Sequence, residues 1–159
     1  MHLTTNLAPL LLALTLVWPV GPPPPEILRG WDPPAGPYAP GHRGVDLAAA
    51  PGTTVHATAS GVVTFAGPVG GRGVLTITLP GTGTPPLRTI YEPVTPLVAV
   101  GDHVTRGRPV ATLAAPAGAN PHCPESCLHW GLLRGDTYLN PLRLLRPAPS
   151  RLLPVTGVP

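Results

Sequence analysis

The chain has 159 residues, which allows one domain with a real core and excludes two ordinary ones. Only 11% of its residues are charged and 43% are hydrophobic, which excludes the disordered class of high charge and low hydrophobicity. The net charge is +3 and all ten basic residues are arginines scattered singly, so no cluster marks a nucleic-acid-binding face.

In chain order, residues 7–18 form an almost wholly apolar run. It is too short to span a membrane, which takes about 20 residues, and it fits the apolar region of a signal peptide over residues 1–20. Export, by secretion or association with a cell envelope, is the expectation that follows. Residues 21–39 read as a Pro-rich linker and irregular arm holding Trp31 and Tyr38. A β-rich domain is expected over residues 40–145, with a Pro-rich tail over 146–159. Within the domain, strand signals fall at residues 53–57, 62–66, 73–79, 87–91, 109–113 and 128–133, separated by Gly and Pro turns. No window longer than ten residues carries a helical period. The fold class expected is all-β, an antiparallel two-layer sandwich with little helix.

Two short segments carry chemistry. His42 and Asp46 lie four apart in Gly41-His42-Arg43-Gly44-Val45-Asp46-Leu47, and imidazole nitrogen with carboxylate oxygen is a common zinc donor set. Taken alone the pair is a weak signal, because a surface His near an Asp is far commoner. The second segment runs Cys123-Pro124-Glu125-Ser126-Cys127-Leu128-His129-Trp130-Gly131. Export favours a Cys123–Cys127 disulfide; a separate zinc site using these cysteines with His122 and His129 is the alternative, cramped in spacing. His56 and His103 read as surface residues and Trp130 as core. Trp31 and Tyr38 fit either a groove lining or the core.

Four segments together resemble the lysostaphin-type, LytM-like zinc endopeptidases. Gly41 to Ala48 looks like the family's G-H-x-G-x-D motif. Gly52-Thr53-Thr54-Val55-His56-Ala57 with Gly61-Val62-Val63 resembles its β-hairpin, and Val100 to Gly107 its V-x-x-G-D-x-V-x-x-G turn. Leu128-His129-Trp130-Gly131 with Asn140-Pro141-Leu142 matches the end of its last motif. The resemblance implies a sandwich of the duplicated-hybrid-motif type and a Zn²⁺ cofactor held by His42, Asp46 and His129. Three protein ligands leave a fourth position for water, the mark of a catalytic site. The implied substrate is the peptide cross-link of bacterial peptidoglycan.

The chain departs from the family at both helper histidines. Cys127 stands at one position and Pro93 at the other, in Tyr91-Glu92-Pro93. Strand alternation puts Tyr91 on the same face as Pro93 and Glu92 on the other, so Tyr91 is one candidate catalytic substitute. His122 is the other, because a Cys123–Cys127 bridge would pin its loop beside the ligand strand; each is set against a plain packing or loop role. Two functions stand side by side: a zinc endopeptidase with weakened catalysis, or a zinc protein that binds peptidoglycan or regulates another cell-wall hydrolase. A biotinyl- or lipoyl-carrier reading fails, because the chain has no lysine to carry the cofactor.

Overall fold

The computed structural model describes residues 17–36, 38–115, 123 and 125–145. Its strands are β1 (Ile27–Arg29), β2 (Gly44–Ala48), β3 (Thr54–His56), β4 (Gly61–Val69), β5 (Arg72–Leu79) and β6 (Leu87–Glu92). They continue with β7 (Val94–Pro96), β8 (His103–Val104), β9 (Pro109–Leu113), β10 (Cys127–Arg134) and β11 (Thr137–Leu139). The one helical element among the described residues is a 3-10 turn at Pro141–Leu145. No described helix is long and apolar enough to cross a membrane.

Eight strands form one sheet in the order β1-β2-β10-β6-β5-β4-β8, with β11 also paired to β10; β3-β9-β7 form a second. Every pairing is antiparallel. The two sheets face each other across one core. Val45, Leu47, Val63, Leu75, Ile77, Tyr91, Leu128 and Trp130 come from the large sheet, and Val55, Val94, Val110, Ala111 and Leu113 from the small one. This is the expected sandwich.

Local sequence explains the strands. Gly73 to Leu79 sends alternate residues to opposite faces, and the hairpin to β4 closes through Gly70 and Gly71, both at positive φ (59° and 78°). Two consecutive residues in that region make the tight turn that suits strand twist, and glycine adopts it without steric cost. The turn segment 100–107 is architectural: the Asp102 carboxylate accepts from the Ala99 N–H at 3.0 Å and the Gly101 N–H donates to the Val63 carbonyl at 2.8 Å.

The folded unit begins well before residue 40. Val20 is 1% exposed within the core, and the His56 N–H donates to the Pro19 carbonyl at 2.7 Å. Strand β1 pairs with β2, so residues 27–29 of the arm extend the sheet. Most of the run 7–18, and the whole tail 146–159, lie outside the described residues.

Strands β1, β2, β7, β8 and β11 carry no strand signal in the sequence. Four of them have two or three residues, too few to show a period. The fifth, β2, is buried at four consecutive positions and so does not alternate in polarity.

Candidate metal and catalytic site

The site is built across three neighbouring strands. In the antiparallel register His129 on β10 lies opposite Asp46 on β2 and opposite Glu92 on β6, so the three form one row across the sheet. The next row is Val45, Trp130 and Tyr91, which turns the other way into the core. Alternation therefore gives one face of the sheet to chemistry and the other to packing. Strand β10 is buried along both faces because it has the core behind it and the site in front.

His42 reaches the site from the loop before β2. Asp32 and His42 exchange backbone hydrogen bonds, Asp32 N to His42 O at 3.2 Å and His42 N to Asp32 O at 2.6 Å, which fixes that loop against the arm. The His42 Nδ1–H donates to the Gly30 carbonyl at 2.7 Å. A carbonyl can only accept, so this bond assigns the proton to Nδ1 and leaves the Nε2 lone pair aimed inward.

Three donor atoms then converge. His42 Nε2 lies 3.1 Å from Asp46 Oδ1 and 3.2 Å from His129 Nδ1, and His129 Nδ1 lies 2.7 Å from Asp46 Oδ1. Ligands about 2.0–2.2 Å from a tetrahedral zinc stand about 3.3–3.6 Å apart, so the three donors, at 2.7–3.2 Å, would spread by less than 1 Å to take the ion. All three residues are buried, at 2%, 0% and 7% exposure. The donor set, the preset tautomer and the triangle of distances fit a zinc ion. His42 and His129 open onto a cavity of about 370 Å³, whose walls include Arg29, Arg43, Ile90, Glu92 and Tyr138.

Gly44 is a condition of this geometry. A Cβ there would collide with the Trp130 carbonyl oxygen and lie 2.7 Å from His129 Nε2. The absence of a side chain lets β2 and β10 close up and gives the His129 ring its place.

The expected catalytic substitutes fare differently. Tyr91 is not at the site. It is fully buried, and its hydroxyl lies 2.9 Å from Thr58 Oγ1 and accepts from the Thr58 N–H at 3.2 Å. Burial pushes the phenol pKa up, with hydrogen bonds from Thr58 and Thr89 offsetting part of the rise. Tyr91 and Glu92 do lie on opposite faces, but it is Glu92 that faces the site, and Tyr91 takes the packing role. The reason is that β6 ends at Glu92, and after Pro93 the chain enters β7 in the other sheet. Position 93 therefore does not extend the alternation of β6. His122 lies outside the described residues.

Cys123 and Cys127 are joined as a disulfide, with Cα atoms 6.2 Å apart and both residues buried. Their sulfurs and an Asp46 carboxylate oxygen lie within 4.8 Å of one another. The cysteines thus group with Asp46, and His129 belongs to the His42–Asp46 triangle. Trp130 is fully buried and donates from Nε1 to Thr89 Oγ1 at 2.9 Å. Trp31 packs at the edge of the core, Tyr38 is fully exposed and His103 is exposed; His56 is half-buried on β3.

The residue missed by sequence reasoning is Glu92. Only the strand register, with His129 directly opposite, reveals its place.

Comparison with known proteins agrees with this architecture. An uncharacterized protein of Mycobacterium tuberculosis, Rv2891, is 42% identical over 147 residues, covering 89% of this chain and 56% of its own length. A second from the same organism, Rv3786c, is 30% identical over 146 residues, covering 87% of this chain and 34% of its own length. The chain therefore spans about half or less of the curated relatives it matches. Among solved structures, the catalytic domain of the antimicrobial peptidase lysostaphin from Staphylococcus simulans superposes with a TM-score of 0.60 at 23% identity. That match covers 76% of this chain and 92% of that one. The SpoIIQ–SpoIIIAH pore-forming complex contains a chain that superposes with a TM-score of 0.66 at 17% identity, covering 82% and 90%. At these identities both structures speak to the fold alone. The sequence pattern of peptidase family M23 matches residues 40–141, well over half of the chain, and the chain belongs to that family.

Proposed function

We propose that this protein is a zinc metalloendopeptidase that cuts peptide cross-links of bacterial peptidoglycan outside the cytoplasm. The observation that carries the reading is the convergence of His42, Asp46 and His129, from separate segments, into a triangle of 2.7–3.2 Å edges beside an open cavity. Zinc held there supplies a Lewis acid for the peptide carbonyl and lowers the pKa of a bound water.

The chain's own residues do the rest. Gly30 orients His42, and the register of β2 against β10 sets Asp46 against His129. Arg29 and Arg43 give the cavity wall positive charge, which suits the free carboxylates of a wall peptide. Arg43 lies over the Tyr138 ring at 5.7 Å, a contact that holds the guanidinium in place.

The second reading is a zinc protein with little or no hydrolysis that grips peptidoglycan or regulates another hydrolase. Cys127 and Pro93 favour it, because both stand where the related enzymes carry helper histidines. Digestion of purified peptidoglycan by the zinc-loaded protein, with products identified by mass spectrometry, separates the two. Cleaved cross-links establish the first; binding without cleavage establishes the second.

A further inference from the structure

We propose that Glu92 is the general base of this site, standing in for the imidazoles that the chain lacks. The inference rests on the peptidase reading above and goes beyond it in assigning the proton-transfer group.

Glu92 is the register partner of His129, and opposed residues in an antiparallel pair have Cβ atoms about 4.5–5.5 Å apart. Its side chain shares the face and the cavity with His129 and His42. It is 22% exposed, so solvent reaches it. Arg72 Nη1 donates to Glu92 Oε1 at 3.5 Å from the start of β5, and Arg72 is a positioning residue that steers the carboxylate. The other acid of the site, Asp46, is wholly buried and is itself a corner of the donor triangle, within 3.1 Å of both histidines. The Tyr91 hydroxyl points into the core. Among the described residues, Glu92 is the carboxylate that faces the cavity beside the ligand triangle.

The step balances without an added reagent. As the water oxygen bonds to the peptide carbonyl carbon, Glu92 takes one water proton and the carbonyl π pair moves onto its oxygen. When the C–N bond breaks, that proton passes from the Glu92 carboxyl to the departing amine, and the carboxylate is restored.

The test compares the parent with Glu92→Gln, Glu92→Asp and Glu92→Ala as full-length, zinc-loaded protein. Each is assayed on purified peptidoglycan and titrated for zinc against a chromogenic chelator. Glu92→Gln should hydrolyse at least about 10²-fold more slowly, the usual contribution of a general base, with zinc affinity within about threefold of the parent by the same argument that Glu92 is no ligand. Glu92→Asp should retain part of the rate, and added formate should restore Glu92→Ala in a concentration-dependent way. Glu92→Gln at near-parent rate overturns the assignment and leaves the peptidase reading standing. Zinc loss in step with rate loss, with no formate rescue, also overturns it, because Glu92 then supports the ligands instead of moving the proton. An inactive parent overturns the peptidase reading and this assignment together.

Discussion

Gly44 shows how closely the ligand triangle depends on one missing methyl group. In Gly44→Ala the new Cβ meets backbone of β10 and the His129 ring, so either the strands part or the ring turns. We expect a loss of about 1–3 kcal/mol of stability and weaker zinc binding together, read by urea unfolding and metal titration. Unchanged zinc binding would show that the ring has room to move. His129→Ala removes a corner of the triangle without a clash. Zinc should raise the melting temperature of the parent and leave that of His129→Ala unmoved, since a ligand stabilises only the state that binds it. Tyr91 makes a different kind of contribution. Its folded-state pKa lies above the ordinary value of 10.0, so its proton-linked stability is complete below that pH and is lost as pH rises through the folded value. Tyr91→Phe should cost about 1 kcal/mol at neutral pH from the Thr58 bonds and should flatten the alkaline fall in stability. A variant with an equally steep fall would assign the alkaline transition elsewhere. At this scale the grouping of His42, Asp46 and His129 was legible from residue type and motif. Glu92 and Tyr91 were not, because their faces depend on where β6 ends.

The decisive element is β10. It pairs with β2, β6 and β11, places Leu128 and Trp130 in the core, and presents His129 on its other face. Trp130→Ala should cost about 3–5 kcal/mol, the range for emptying a core aromatic site, and should weaken the zinc site by loosening the same strand. Zinc affinity that survives such a loss would show that the ligand face is held independently of the core face. The disulfide guards the entry to this strand. It closes a loop of four-residue separation, so replacing both cysteines by alanine should lower stability by about 2 kcal/mol on the loop-entropy estimate. Urea unfolding of the double variant in the presence and absence of reductant checks this; a reductant effect as large as the parent's would rule out the bridge as its source. The interior of β10 was readable as an apolar run, whereas the polarity of its two faces required its partners.

On the scale of the whole molecule, the arm before residue 40 is part of the sandwich. Val20 fills a core position, the Pro19 carbonyl satisfies the His56 N–H, and residues 30–32 brace His42. A chain starting at residue 21 should therefore be less stable than one starting at residue 17 by at least roughly 2–4 kcal/mol, from the buried Pro19 and Val20, the Trp18 packed beside them and one orphaned donor. Equal unfolding midpoints would show that the arm is dispensable. Composition and turn chemistry alone determined the all-β class, because Gly and Pro interrupt every helical window and the apolar runs have strand length. Motif order alone pointed to the candidate metal-binding set, because few residue types can serve as zinc donors. Only the tertiary structure decided that Glu92 faces the cavity, that Tyr91 faces the core and that Trp18 to Val20 belong to the fold. The first two depend on cross-strand register and on a sheet-to-sheet crossing, and the third on a non-strand segment packing against the core. All three are set by contacts between residues far apart in the chain, which local pattern does not encode.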